Sequence, residues 1–376
     1  MISLQRIFGI VVFLCSLLTA EFNGKYVVLH EILSETGDFS GYHLQTPYGE
    51  LFFDEPVLCA LIRSHSFERL KYVRQYGPYH FCVKPSEYTR YDHSLGAFAL
   101  VRLHGGDLKK QIAALKHDIS HTVFSHAGGY FFFSDSKKAE YAQDAMDAEY
   151  LSESGVAQLL LEFGFSPENV SHEGVGFGQV KKPAPDLCAD NIEYILQGAL
   201  HDGCCGLEEV HDIVSHLHFN GTDWYFDDIT SALSVARFCL RMMIDNWSTP
   251  YNLMVCRILG QALCRAVDLG IISQKDIVFG TDDLVWQRLQ QCNDAQINKF
   301  LFTVRHGLDL FVIHKYDEPN VTGVFVRQGK FRGVDPLVLE FDGKLERLTK
   351  LNLEFEKEFE SVKTMFEKGW IVEVNS

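Results

Sequence analysis

Leu115-Lys-His-Asp-Ile-Ser-His-Thr-Val-Phe-Ser-His126 decides the reading of this 376-residue chain, together with the shorter stretch Thr89-Arg-Tyr-Asp-His-Ser-Leu-Gly96. Of sixteen histidines, His93, His117, His121 and His126 fall here. On a helix His117 and Asp118 stand about 100° apart and converge on one ion from its two flanks, while His121 lies one turn beyond His117 on the same face. His93 sits where a loop meets the next helix. A fourth contributor comes from Asp190, at the start of the amphipathic segment Ala189-Asp-Asn-Ile-Glu-Tyr-Ile-Leu196. Mixed imidazole and carboxylate ligands suit a borderline divalent ion such as Mn, Fe, Ni, Co or Zn, one or two in number, and leave positions open for water and substrate.

Working outward, helical periodicity dominates the middle of the chain. Segments near 56 to 75, 94 to 104, 108 to 118, 139 to 163, 189 to 199, 229 to 245, 251 to 269 and 282 to 303 carry apolar residues at three- and four-residue intervals. Residues 26 to 60 alternate apolar with polar and hold the turn pairs Thr46-Pro47 and Tyr48-Gly49, which predicts an N-terminal entry over 21 to 60 of short strands or irregular structure leading into the core. From 305 to 376 strand-like runs (Leu310 to His314, Gly323 to Val326, Pro336 to Phe341) precede a polar helix from Lys350 to Lys368 and a last strand from Trp370 to Val374. The expectation is a mainly α protein, with a helical domain over 61 to 304, a β-containing N-terminal lead-in and a small α+β C-terminal appendage.

Residues 1 to 20 differ from the rest, with Arg6, an apolar run from Ile7 to Leu18, then Thr19 and Ala20. This reads as a signal peptide cleaved after Ala20, hence an exported chain, secreted or periplasmic; without a real signal the chain would be cytoplasmic. The run is shorter than the roughly 18 to 20 residues a bilayer span needs, and no later run approaches it, so no transmembrane segment is expected. Ten cysteines show no disulfide framework and no paired CxxC motif, so they read as scattered thiols. The sequons at Asn169, Asn220, Asn246 and Asn320 matter only in a eukaryotic secretory pathway.

The chain is acidic, with 34 Lys and Arg against 50 Asp and Glu, which disfavours a partner held by broad phosphate-backbone contact such as duplex DNA. Residues 60 to 116 run the other way, with ten basic and four acidic residues. Basic residues gathered near the candidate site suit a small anionic phosphate ligand. Composition leaves a homo-oligomer open. His201-Asp202 and His211-Asp212, with His216 and His218 nearby, are further His-Asp pairs, but neither has a following one-turn His. They read as polar helical faces rather than as a second metal cluster with Cys204 and Cys205.

Taken together, Tyr88 to Gly96 and Leu115 to His126 resemble the HD-domain phosphohydrolase superfamily, most closely its dNTP triphosphohydrolase-like branch. The resemblance extends to Tyr48-Gly-Glu-Leu-Phe-Phe, Phe67-Glu-Arg-Leu-Lys-Tyr-Val-Arg-Gln-Tyr-Gly77 and Phe331-Arg-Gly-Val-Asp-Pro336, and so covers most of residues 45 to 345. It implies an HD-type helical core with His93, His117, Asp118 and Asp190 as the metal ligands and His121 and His126 as outer or catalytic histidines. Arg90, Gln75 and Tyr194 would then face the substrate. Two departures stand out: Ala148 takes the place of a proton-donating His, and Gly198 that of an acidic residue which contacts the substrate sugar. The resemblance implies hydrolysis of a nucleotide or related phosphate ester by metal-activated water. The departures motivate the alternative of a metal-containing module without catalysis that senses a ligand or binds a partner, and oxidative chemistry at a two-iron site is a further option.

Overall fold

The computed structural model describes residues 25 to 375, so the expected signal segment lies outside the described residues. Three antiparallel strands open the fold: β1 (Val28–Leu33), β2 (Phe39–Thr46) and β3 (Gly49–Phe53), in spatial order β1-β2-β3. The alternation read from the sequence is a real pleat. Tyr42 and Leu44 of β2 and their partners Phe53 and Leu51 of β3 turn one face into the core, and exposed Phe52 marks the other. Pro56–Arg63 then leads into a body of helices, whose shared interior includes Leu58, Leu61, Phe98, Leu115, Ile192, Leu196, Leu259 and Leu263, all fully buried.

The structure cuts several expected helices where local chemistry ends them. The 56 to 75 segment stops at Arg63, because Ser64 turns extended and caps a separate short helix, His65–Arg69, by accepting from Phe67 N. The 139 to 163 segment divides at Tyr141 and again at Gly155, which is left-handed with φ 78°. The 282 to 303 segment divides at Asp294, which accepts from Gln296 N and Ile297 N and so starts a new helix. Pro250–Asp268 runs unbroken as expected, begun by the Thr249 cap with proline in its first turn.

A short hairpin, β4 (Leu217–Phe219) and β5 (Trp224–Phe226), escaped the periodicity reading. Its strands have only three residues each, too few to show alternation. Residues beyond 305 supply β6 (Phe311–Lys315), β7 (Val324–Val326), β8 (Leu337–Leu339), β9 (Leu345–Arg347) and β10 (Trp370–Val374). β10 lies between β6 and β7, while β8 joins β5 in parallel, so one sheet ordered β4-β5-β8-β9 ties the C-terminal region to the helical body. The polar helix Leu353–Lys368 buries Phe355, Phe359 and Phe366 on one stripe and pairs Glu358 with Arg237 of the Ile229–Met242 helix. Among the described residues no helix is long and apolar enough to cross a membrane.

Candidate functional site

The site begins with a capping box. Thr89 Oγ1 accepts from Asp92 N at 3.2 Å and the Asp92 carboxylate accepts from Thr89 N at 3.1 Å, so the helix starts at Arg90 and runs to Leu103. That start places Arg90 and His93 in its first turn on one face, both buried. The second stretch is corrected by the structure: the helix that was to carry His117, Asp118 and His121 ends at Lys116. Beyond it the chain continues in tight turns, with Ile119 N bonded to Lys116 O and His121 N to Asp118 O. Arg69, buried, donates to Ile119 O and His121 O at 3.1 and 2.6 Å and holds these turns in place of helical bonds.

Phe124 and Ser125 then adopt left-handed backbone, φ 56° and 51°, an uncommon conformation for side-chain-bearing residues. Three contacts hold it. Phe124 N donates to Asp282 Oδ1 at 2.6 Å, Ser125 Oγ donates to Arg74 O at 2.7 Å, and Gly77 lies so close that a Cβ there would stand 2.5 Å from Phe124 O. Ser125 Oγ also accepts from Arg90 Nε at 3.0 Å, which aims the guanidinium at Asp118, where Nη1 reaches Oδ2 at 2.5 Å. The third element, Ala189–His201, presents Asp190, Glu193 and Tyr194 on one face by its three- and four-residue spacing.

These elements bring together all four expected ligands. His93 Nε2 and His117 Nε2 stand 3.0 Å apart, and Asp190 Oδ1 lies 3.2 Å from the first and 3.8 Å from the second. Asp118 contributes Oδ2 at 3.6 Å from His93 Nε2 and Oδ1 at 3.7 Å from His117 Nε2. The tautomers follow from the opposite ring atoms. His117 Nδ1 donates to Ala114 O at 2.7 Å, and His93 Nδ1 faces the Glu193 carboxylate. In neutral rings both Nε2 atoms therefore carry lone pairs, aimed at one point flanked by two carboxylates. Such a donor set fits a divalent cation, and it is the pattern of ligating histidines whose far nitrogen is fixed by a carboxylate or carbonyl.

The electrostatics report the same demand for positive charge. Burial works to lower the His93 pKa, yet Glu193, Asp190 and Asp118 together raise it to about 10. Burial would raise Asp118 and Asp190, but Arg90 beside the first and His117 and His93 beside the second hold both well below the usual carboxylate range. His121 is pushed down to about 4 by burial and by Arg90, and His126 well below its ordinary value by burial and by Arg332, so both are neutral at physiological pH. Their rings meet edge to face at 5.3 Å, and His121 Nε2 lies 3.4 Å from Asp118 Oδ1.

A cavity of about 150 Å³ opens beside this cluster. Gln75, Arg90, His121, His126 and Tyr194 all border it, as do Asp118 and Asp190, whereas His93 and His117 lie behind its wall. The expectation that the basic residues of 60 to 116 surround the site is corrected: of those ten, only Arg90 borders the cavity. Others are spent in ion pairs elsewhere, Arg63 with Glu31, Lys71 with Glu68 and Arg102 with Glu55. The cavity's further cations are Lys181, Lys330 and Arg332, all far from the basic block in sequence. Arg332 pairs with Glu140 at 2.5 Å and Lys181 with Asp144 at 2.8 Å, whereas Lys330 has no carboxylate within ion-pair distance among the described residues and lies over the Tyr141 ring.

Several residues were missed by the sequence reading. Glu193 is fully buried and also accepts from Tyr88 OH at 2.5 Å and Tyr48 OH at 3.3 Å; its spacing three residues after Asp190 was the available signal. Gln143 Nε2 donates to His117 O and Asp118 Oδ1. Ala148 is exposed, whereas His172 of the dipeptide His172-Glu173 is buried with its ring edge-on to His117 at 6.2 Å. Asp144, His172 and Glu173 could in principle hold a second ion, but Lys181 Nζ already bridges Asp144 and Glu173 at 2.8 Å each. Gly198 is closed off, since a Cβ there would collide with Met242 Cε and stand 3.2 Å from Tyr76 OH. No metal-ligating group among the described residues includes His201-Asp202, His211-Asp212, Cys204 or Cys205, and His201 stacks on Tyr88 at 4.9 Å.

No family model matches the chain. The metal-dependent phosphohydrolase cns2 of Cordyceps militaris is 33% identical over 262 residues, spanning 66% of this chain and 73% of that protein. The chain belongs to the HD-domain metal-dependent phosphohydrolase superfamily. Within this superfamily, human deoxynucleoside triphosphate triphosphohydrolase SAMHD1 is 27% identical over 133 residues, 30% of this chain and 21% of that protein, in line with the triphosphohydrolase-like branch. A phosphohydrolase structure from Bacteroides thetaiotaomicron shares the fold, with TM-score 0.58 and 15% identity over 81% of this chain and 93% of that one. The HD fold thus accounts for the helical core that carries the paired histidines and aspartates.

Proposed function

We propose that the protein is a metal-dependent phosphohydrolase whose cavity hydrolyses a nucleotide or related phosphate ester. One observation carries this reading: the Nε2 lone pairs of His93 and His117, 3.0 Å apart, meet the Asp190 carboxylate in one group able to hold an ion, with the Asp118 carboxylate 3.6 and 3.7 Å from the two rings, beside a cavity with cationic walls. His93, His117, Asp118 and Asp190 would hold a divalent transition ion. When bound, such an ion supplies charge neutralisation at a phosphoryl oxygen and a lowered pKa for water.

The chain's own residues do the rest. Arg90, held by Ser125 and Asp118, offers its remaining guanidinium donors to a phosphate oxygen, and Lys330 adds a cation that no carboxylate already occupies. His126, neutral and bordering the cavity, takes a proton from the attacking water at a ring nitrogen and returns it to the leaving oxygen; His121, tied to Asp118, steadies that carboxylate. The alternative of a module without catalysis rests on Ala148, which is exposed, and on Gly198, where a side chain would meet Met242 and Tyr76.

Elemental analysis of the purified protein joined to a phosphate-release screen tests the proposal. Wild type is expected to carry a divalent transition metal and to release phosphate from at least one ester, and Asp118→Ala is expected to lose both. Undiminished turnover by metal-free Asp118→Ala protein refutes it.

A further inference from the structure

Part of the cavity lining has a different chemistry. Tyr194 and Trp247 meet there edge to face, 5.2 Å apart at 82°, beside Leu253 and Cys256. Trp247 ends the π-helical turn Met243–Trp247, an irregularity that interrupts the run from Ile229–Met242 into Pro250–Asp268 and that recurs at functional sites. Four side-chain amides border the same cavity, and in three of them the carbonyl oxygen is buried without a hydrogen-bond partner: Gln75 Oε1, Asn252 Oδ1 and Gln328 Oε1.

For Asn252 the amide orientation is determined by its neighbour. Nδ2 donates to Trp247 O at 3.0 Å, and a flipped amide would set two carbonyl oxygens against each other, so the unpartnered atom is the oxygen. Buried polar groups in native proteins are nearly always paired, and the orphan Asn252 acceptor, with the unpartnered Gln75 and Gln328 amides on the same cavity, calls for a ligand that brings hydrogen-bonding groups to them. An adjoining aromatic wall favours a ligand that is also flat. The Gly198 side offers no such recognition, being filled by Met242 and Tyr76.

We propose that Trp247, Asn252 and Gln328 form the specificity wall of the site, seating a nucleobase that bears an exocyclic amino group. Trp247 packs on the base, while the Asn252 oxygen accepts from its amino group and the Gln328 amide bonds to its edge. This rests on the phosphohydrolase reading for the placement of the phosphate at Arg90, but base recognition itself is independent of turnover.

Calorimetric titration of the metal-replete full chain with adenosine and cytidine, which lack phosphate, tests the wall directly. Steady-state kinetics on adenosine monophosphate and on ribose 5-phosphate complete the comparison. Both nucleosides are expected to bind wild type. Asn252→Leu and Trp247→Leu are each expected to weaken adenosine binding at least tenfold, and to raise KM for adenosine monophosphate at least tenfold more than for ribose 5-phosphate. Gln328→Leu, on a separate segment, replaces either variant if it fails to fold. Equal affinity of wild type for the two phosphate esters, absence of nucleoside binding, or folded variants with unchanged nucleoside affinity each overturn the inference. Nucleoside binding without hydrolysis of any ester sustains the wall and refutes the phosphohydrolase reading instead.

Discussion

Glu193 offers a sharp test of how the cluster is built, because it borders the candidate ligands without being one of them. Its carboxylate faces His93 Nδ1 and accepts from Tyr88 OH at 2.5 Å, which fixes the tautomer that presents Nε2 to the ion. Glu193→Gln keeps the size, removes the charge and turns one acceptor into an amide N–H₂ facing donors. Loss of such an outer partner typically lowers metal affinity about 10- to 100-fold. That corresponds to about 1.4 to 2.7 kcal/mol. The misplaced amide donor adds a stability cost of roughly 1 to 3 kcal/mol. Gly96→Ala reaches the same carboxylate from the neighbouring helix, since a Cβ at Gly96 would overlap Glu193 and stand 2.8 Å from its Cγ. Competition of Mn²⁺ between protein and a chelator measures the first effect, and denaturant unfolding the second. Both variants are expected to bind Mn²⁺ at least tenfold more weakly than wild type. Wild-type affinity in a folded Glu193→Gln protein would falsify the assigned role of Glu193.

Two further outcomes follow from buried charges elsewhere. Burial raises the Asp282 carboxyl to about 7, against its hydrogen bonds from Arg74 N and Phe124 N. The folded state therefore binds this proton more tightly than the unfolded chain. The resulting stability is full below the ordinary carboxylate pKa and is lost as pH rises through about 7, in total roughly 4 kcal/mol at 1.36 kcal/mol per pKa unit. Denaturant midpoints at pH 5 and pH 8 should accordingly fall less in Asp282→Asn than in wild type, and an equal fall in both would contradict the assignment. Lys330→Gln removes the cavity cation that lacks a carboxylate partner, so KM for a phosphate ester should rise about tenfold at low salt, with a smaller ratio at high salt. A KM independent of both the substitution and the salt would place Lys330 outside the substrate's reach.

The candidate ligand set was legible in the sequence because its chemistry is concentrated: two short stretches hold three of the four candidates, and Asp190, at the start of an amphipathic segment, is the fourth. Arg90, His121, His126, Gln75 and Tyr194 were legible in the same way, and the structure brings all of them to one cavity. The helix carrying His117 was read as too long, since apolar spacing persists past Lys116 although the backbone bonds there pass to tight turns and to Arg69. Glu193 went unnoticed because an acid three residues from another acid on a helix is common, and only its complete burial against His93 gives it meaning.

Periodicity and composition, being properties of neighbours along the chain, sufficed for a helical body, its strand-bearing ends and a cation-seeking group of imidazoles and carboxylates. The walls of the cavity are another matter. Lys181, Trp247, Asn252, Gln328, Lys330 and Arg332 come from four separate segments, and no spacing rule links them. Their meeting depends on long-range packing of helices and on β8 joining β5, which anchors the C-terminal region to the helical body. What the cavity can recognise was therefore decided only by tertiary structure, because recognition needs atoms to converge in space rather than in sequence.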